Sequence, residues 1–354
     1  MTKALIAMSG GVDSSVAAYL TQQMGYDCIG ATMRLVEGEV ACSKNARTCC
    51  SLQDVEDARD VAYSLGIPFY VFEFTSEFKE YVIENFICSY ERGKTPNPCI
   101  ECNRHMKFRV LLRRAIELGC DYLVTGHYAR IEKSGERYYL KKARDLSKDQ
   151  SYVLYMLTQN QLARLLFPLG ELYKAETRAI ADRLGFVNAK KRDSQDICFV
   201  PDGDYAGFIE SYRQKNYPPG KFTDTEGNVL GEHKGIIRYT VGQRKGLGVS
   251  ASKPLYVYKI DPEANTVVLA EKDKLASDEI EIASVNWIAF DSPPEQLRAS
   301  VKIRYSQAEQ PATVFATGEN TARIKLCAPV RAVTPGQSAV IYDGEYVLGG
   351  GIIV

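Results

Sequence analysis

The sequence predicts an α/β protein: a doubly wound, mostly parallel sheet, then a small β-rich central module, then a C-terminal β-barrel. Three observations predict it. Residues 1–125 alternate short apolar runs with amphipathic stretches of helical length, the pattern of strands joined by crossover helices. A glycine- and serine-rich turn, Ser9-Gly10-Gly11-Val12-Asp13-Ser14-Ser15, follows the first apolar run directly. Past residue 205 or so, short alternating segments recur with turn signals, which reads as antiparallel β. The expected domains are 1–204, 205–274 and 275–354.

Each element has its own signal. Residues 4–8 form an apolar run read as a buried strand. Residues 16–24 place Val16, Ala17, Leu20 and Met24 near one helical stripe, closed by Gly25. Residues 27–35 are a second strand. Residues 51–65 are a helix with Ser51 and Asp54 at its start and Gly66 at its end. A strand over 68–74, an amphipathic helix over 76–92, a helix over 103–118 and a strand over 122–125 follow. Residues 129–143 read as a hairpin turning at Ser134-Gly135, with helices near 159–166 and 174–184. Tyr217-Pro218-Pro219-Gly220 is a break. Beyond it, 221–271 reads as a small β module and 279–354 as a barrel, because closure hides the edges of many short strands.

The turn at 9–15 is built for an anion. Gly10 and Gly11 let backbone approach a ligand, the following helix offers unpaired N–H groups, and Ser9, Ser14 and Ser15 add hydroxyls. A bare strand–helix turn would not need so many constrained positions. It is not a Walker loop, since no lysine follows. Asp13 is odd beside phosphate unless a divalent metal bridges the two. Ser-Gly-Gly-x-Asp-Ser resembles the PP-loop of the ATP pyrophosphatases, which split ATP into AMP and pyrophosphate. Ligands of doubly wound sheets sit beyond the carboxyl ends of the strands, where this turn and Thr125-Gly126-His127 both fall.

Composition sets the bounds. At 354 residues, with 45% hydrophobic and 25% charged residues, the chain is an ordinary globular protein of two or three domains. No stretch approaches a membrane span and no signal-peptide layout is present, so a cytoplasmic location is expected, with no membrane partner. Net charge is zero, which removes any whole-protein attraction to nucleic acid. Residues 101–150 nevertheless carry 12 Lys and Arg against 7 Asp and Glu, or +5. That suits either a phosphate-backbone contact or a solvated helix face.

Ten cysteines in a reducing compartment favour catalysis or metal binding over structural disulfides. In Thr95-Pro96-Asn97-Pro98-Cys99-Ile100-Glu101-Cys102-Asn103, two prolines stiffen the loop and keep Asn97 out of helix. Cys102 is expected immediately before a helix, where the dipole, Arg104 and Lys107 favour its thiolate. Cys198 follows the basic Lys190-Lys191-Arg192 in Asp193-Ser194-Gln195-Asp196-Ile197-Cys198-Phe199. Cys42, Cys49 and Cys50 read as loop thiols, and Cys28, Cys88, Cys120 and Cys327 as core.

With these stretches in hand the chain resembles, nearly end to end, the tRNA-specific 2-thiouridylases, bacterial PP-loop enzymes that thiolate the wobble uridine of certain tRNAs. Further marks are Lys148-Asp149-Gln150-Ser151-Tyr152, Gly242-Gln243-Arg244-Lys245-Gly246-Leu247-Gly248, Thr334-Pro335-Gly336-Gln337 and Leu348-Gly349-Gly350-Gly351-Ile352-Ile353. The resemblance implies an adenine nucleotide alpha-hydrolase-like first domain and a sulfurtransferase using ATP and Mg2+. Ala7, Met8, Ser9, Gly10, Gly11, Val12, Asp13 and Ser14 would hold ATP with Met33 and Gly126. Cys102 would be the nucleophile and Cys198 the persulfide carrier. Asn97, Pro98 and Cys99 would face the target base. His127, Lys148, Asp149, Gln150, Arg304, Tyr305 and Gln337 would touch tRNA. The implied partners are a tRNA with an unmodified wobble uridine and a sulfur donor such as a cysteine desulfurase or relay protein.

One position departs from the pattern: many relatives carry aspartate where this chain has Cys99. Either Cys99 is a third thiol in a persulfide relay, or Cys99, Cys102 and Cys198 hold three irons of a four-iron four-sulfur cluster whose open iron carries sulfur. Two other functions fit parts of the sequence. An amide-forming PP-loop synthetase would need no cysteine pair. A non-catalytic tRNA-binding iron–sulfur protein would not need an intact turn at 9–15.

Overall fold

The structure is a computed structural model that describes residues 1–36, 52–193, 197–200 and 203–354. It divides into two compact units. The first comprises 1–82, 99–203 and 345–347, and the second 83–98, 204–344 and 348–354.

The first unit is built on a five-stranded sheet. Its strands are β1 (Lys3–Ala7), β2 (Asp27–Arg34), β3 (Phe69–Glu73), β4 (Tyr122–Val124) and, after a hairpin of β5 (Ala129–Ser134) and β6 (Arg137–Lys142), the short β7 (Leu165–Leu166). The order is β3-β2-β1-β4-β7, parallel throughout. The chain runs outward through β1, β2 and β3, then returns to the far side of β1 with β4. That reversal opens a crevice at the carboxyl ends of β1 and β4, as in doubly wound folds generally. Helices α1 (Val12–Gln23) and α2 (Leu52–Ser64) join the first three strands. Ile6, Met8, Val16, Ala17, Ala58, Val61 and Val124 are buried together beneath them.

Four predicted elements change at their ends. Helix α1 begins at Val12, so Asp13, Ser14 and Ser15 lie in its first turn. The stretch read as one helix over 76–92 is Thr75–Phe78 and Glu84–Glu91 with a π segment, Lys79–Ile83, between them. The helix expected over 103–118 starts at Pro98, a residue suited to a first turn because it has no N–H to leave unpaired. The helix expected over 159–166 stops at Leu162, because Leu165 and Leu166 pair with β4 and extend the sheet. The Ser51 cap lies outside the described residues.

In the second unit a four-stranded sheet contains Gly220–Thr223, Val229–His233, Leu255–Asp261 and Thr266–Glu271. A helix that the sequence did not announce, Tyr205–Arg213, precedes it. From Ala276 onward, six antiparallel strands close into a barrel, with Ile282 of Ala276–Trp287 opposite Ile353 of Tyr346–Ile353. Along Thr321–Arg331 the side chains alternate outward and inward, and Ala322, Ile324 and Leu326 join the barrel core. The same alternation turns Cys327 outward, where it is exposed, and Cys88 is half-buried, so neither is the core thiol expected. Cys28 and Cys120 are buried; burial pushes the Cys28 thiol up to about 11. Among the described residues no helix is long and apolar enough to cross a membrane.

Ile6 is fully buried at the centre of the parallel sheet. Ile6→Ala is expected to destabilise the protein by about 3 kcal/mol, the usual cost of a core isoleucine truncation, read as a lower urea midpoint.

Candidate active site

The turn after β1 is shaped by its own hydroxyls. The Ser9 N–H donates to Ser14 Oγ at 3.1 Å. The Ser14 and Ser15 hydroxyls donate back to the Gly11 carbonyl at 3.0 and 3.1 Å. Gly11 is the extended N-cap residue of α1 and makes no side-chain cap, so no side chain of the cap residue covers the first-turn N–H groups. Gly10 has φ +71°, and a Cβ there would lie 2.2 Å from the Asp54 carbonyl oxygen. At Gly126, after β4, a Cβ would lie 2.8 Å from the Asp13 and Ser14 backbone. Both glycines are therefore required by close approach. β1 pairs directly with β2 and β4. Residues 7–14, Met33 near the end of β2, and Gly126 thus share one edge of the sheet.

A charge network braces this turn. Asp13 receives Lys174 Nζ at 2.7 and 2.8 Å and the Tyr128 hydroxyl at 2.9 Å. The counter-charge that Asp13 seemed to need from a metal is in this structure a lysine. Lys174 also lies 2.8 Å from Asp193, which is reached by Lys148 at 3.0 Å and Arg178 at 2.8 Å. Burial pushes the Asp193 carboxyl up, but hydrogen bonds from Lys174 and Lys148 outweigh it and hold it below its ordinary range. On the other side of the turn, Lys191 pairs with Asp54 and Asp57 and donates to the Gly10 carbonyl, and Asn188 reaches that carbonyl and Ser15 Oγ. Lys174, Arg178 and Asn188 were not singled out from sequence. Only the odd placement of Asp13 hinted at a cation, and its partner lies 161 residues away.

The residues expected at RNA are tied into the fold. His127 is 7% exposed, packs on Phe108 and Phe167, and sits with Nδ1 2.7 Å from Thr125 Oγ1. Burial, with Lys107 nearby, holds its pKa well below the usual imidazole value, so it is neutral at physiological pH. Asp149 accepts from the Ala143 and Ser151 N–H groups and the Ser151 hydroxyl. Gln150 Oε1 accepts the Tyr128 N–H at 2.9 Å. Lys148 is half-buried against Asp193. Much of the basic excess of 101–150 is engaged in ion pairs, including Arg130 with Glu345 and Lys141 with Glu132.

Cys99 is exposed, and Cys102 and Cys198 are half-buried. Because the helix starts at Pro98, Cys102 lies a full turn inside it, as the first residue of the ten-residue π segment Cys102–Leu111. The dipole effect expected for a residue just ahead of a helix is confined to the first turn and weakens at this position. Arg104 and His105 pair with Glu101, at 3.8 and 3.3 Å. Cys198 follows Ile197 in a turn where Val200 N–H donates to the Ile197 carbonyl, and Phe199 is buried against Phe78. Residues 194–196, and Cys42, Cys49 and Cys50, lie outside the described residues. Among the described residues no three His, Cys, Asp or Glu side chains could hold a metal ion. Cys99, Cys102 and Cys198 are all described, so the structure gives the iron–sulfur cluster no ligand set.

Within the second unit, Asn97 is half-buried and Pro98 is buried. Arg304 Nη2 donates to the Val241 and Ala332 carbonyls and to Thr334 Oγ1. Tyr305 is exposed, with Lys302 Nζ 5.4 Å from its ring centre. Gln337 Nε2 donates to the Thr95 and Pro96 carbonyls.

Comparison with known proteins matches the whole chain. Residues 2–202 match the tRNA methyl transferase HUP domain, 206–271 the tRNA methyl transferase PRC-barrel domain, and 277–353 the aminomethyltransferase beta-barrel domain. The chain is 51% identical to the tRNA-specific 2-thiouridylase MnmA of Clostridioides difficile, over 99% of this chain and 98% of that one. It is 48% identical to the protein of that name from Clostridium acetobutylicum, over 99% of each chain. It is 50% identical to the tRNA-specific 2-thiouridylase MnmA 2 of Caldanaerobacter subterraneus, over 99% of this chain and 97% of that one.

Asp193 supplies a pH test. A carboxyl whose folded pKa is depressed stabilises fully above its unfolded pKa of 3.8, and loses that contribution as pH falls through the lower folded value. Asp193→Asn leaves three cations with one partner fewer and is expected to cost about 2 kcal/mol at neutral pH. Denaturant titrations should show the gap from wild type narrowing below pH 3.8.

Proposed function

The chain belongs to the tRNA-specific 2-thiouridylase family, and from that premise we propose that it replaces the C2 oxygen of the tRNA wobble uridine with sulfur, consuming ATP. The observation that carries this reading is the 9–15 turn at the β1/β4 crevice, with its open helix start, the close approaches at Gly10 and at Gly126 beside it, and Lys174 on Asp13.

The uridine C2 carbonyl is a poor electrophile because its oxygen will not leave. ATP supplies the activation: transfer of AMP to O2 expels pyrophosphate and makes O2 part of a leaving group. The turn fits the phosphates. Its first-turn N–H groups and the Ser9 hydroxyl receive the departing charge, and Lys174 keeps Asp13 from repelling it. Mg2+ arriving with the triphosphate needs no full protein cage, and Asp13 is the carboxylate in the turn that could hold it. Met33 and Gly126 line the edge where the nucleoside would lie.

Cys198 carries sulfur from the donor as a persulfide. Its terminal sulfur attacks C2 and AMP leaves. The Cys102 thiolate then attacks the inner sulfur of Cys198, releasing thiolated base and forming a Cys102–Cys198 disulfide, which an external thiol reduces for the next turnover. Asn97, Pro98 and Cys99 face the base, which leaves its stack at a cost of a few kcal/mol. Lys148 of the first unit supports RNA contact, as do Arg304, Tyr305 and the central module and barrel of the second. The sulfur donor is a cysteine desulfurase or a relay protein, and the reaction takes place in the cytoplasm.

The test incubates the protein with ATP, unmodified tRNA and a radiolabelled persulfide donor, then digests the tRNA to nucleosides. Wild type should yield labelled 2-thiouridine only when ATP is present. Cys102→Ser and Cys198→Ser should each lower the yield at least about a hundredfold, as loss of a covalent participant does. Full thiolation by either variant overturns its assigned role.

A further inference from the structure

The turn Thr334-Pro335-Gly336-Gln337 is anchored on the barrel. Gly336 N–H donates to the Ile353 carbonyl at 2.9 Å, and Ile353 N–H donates to the Gln337 carbonyl at 2.8 Å. Gln337 N–H closes the turn on the Thr334 carbonyl at 3.2 Å. Thr334, 2% exposed, is held in turn by Arg304. The backbone from which the Gln337 side chain projects is thus fixed on both sides by the last barrel strand.

That side chain and turn grip residues 95 and 96. Gln337 Nε2 donates to the Thr95 carbonyl at 2.8 Å and to the Pro96 carbonyl at 3.4 Å. Thr95 N–H donates to the Pro335 carbonyl at 2.9 Å, and Thr95 Oγ1 meets Thr240 Oγ1 at 3.3 Å. Gly336 has φ +89°, and a Cβ there would stand 3.0 Å from both Thr95 N and O, so glycine sets how closely the two segments approach. Proline cannot donate, and residues 95 and 97 each precede a proline and are held out of helix. The segment lacks a ladder of its own, and external donors and acceptors define its path.

We propose that Gln337 is a positioning residue: it fixes the Thr95-Pro96 backbone on the barrel and so presets the Asn97-Pro98 step that faces the base. Its amide N–H groups work within the protein, and its effect on thiolation passes through the segment it holds. The proposal rests on the reading of residues 97–99 as base-facing. It gives the barrel a part in shaping this segment, since a turn held by its last strand sets the path of residues 241 positions earlier in the chain.

The experiment uses the full chain with Gln337→Ala and Gln337→Glu; the second keeps size but replaces the donating NH2 with an acceptor. Three quantities are read: amide exchange of residues 94–97 in the free protein, tRNA Kd by filter binding, and the single-turnover thiolation rate at saturating tRNA. Both variants should exchange the Thr95 amide at least about tenfold faster, the effect of losing a neighbouring backbone clamp. The thiolation rate should fall about tenfold or more while Kd stays within about twofold. A raised Kd with unchanged exchange and unchanged saturating rate makes Gln337 an RNA contact and overturns the proposal, as does unchanged exchange alone. If Gln337→Ala does not fold, Gln337→Asn, one methylene too short to reach, replaces it. Absence of thiolation by wild type overturns the functional reading instead, and the exchange measurement still decides whether Gln337 holds the segment.

Discussion

A carboxylate inside a turn whose open helix start attracts anions is an electrostatic liability, and the architecture of the first unit follows from its compensation. At about 4 Å, two like charges near a protein surface repel by roughly 4 kcal/mol, enough to abolish useful affinity for a nucleotide. Lys174 removes that penalty by sitting on Asp13. Because the same Nζ also meets Asp193, the cation links the 9–15 turn to the segment that carries Cys198 five residues further on. Lys148 and Arg178 complete the pairing on Asp193, so the motif at 148–150 is drawn to the same place. One lysine thus connects three stretches that are remote in sequence.

The second unit uses hydrogen bonds to backbone carbonyls for a comparable purpose. Arg304 and Gln337, both expected on the RNA-facing surface, donate to backbone carbonyls at Val241, Ala332, Thr95 and Pro96. Carbonyls in proline-interrupted and turn segments have no ladder partners, and long side chains rooted in a rigid barrel are suited to satisfy them. Two residues expected at RNA therefore serve in this fold as structural ties. A substitution at either position alters loop geometry along with surface charge.

The elements legible in sequence were those with local causes. The parallel sheet, the hairpin at Ser134-Gly135, the turn at 9–15 and the later all-β region each follow from periodicity or from glycine and proline placement. The ends of elements were less legible, because tertiary pairing decides them: β7 exists because Leu165 and Leu166 find β4 beside them. The partners in the site were not legible at all. Nothing near Asp13 announces Lys174, and nothing near Thr95 announces Gln337, since charge and hydrogen-bond complementarity across such separations exists only once the chain is folded. Cys327 shows the reverse error: an apolar neighbourhood in sequence became an outward strand position.

The π segment Cys102–Leu111 has a consequence for how this helix tolerates change in length. A π turn holds an extra residue compared with an α turn and is therefore a built-in surplus. Removing one residue there would let the coil tighten into α and absorb the loss locally, whereas the same deletion in a plain α turn would swivel everything upstream by about 100° relative to Phe108 and Leu111. The compass bearing of the Cys102 sulfur is accordingly buffered against the loss of a single codon in this stretch.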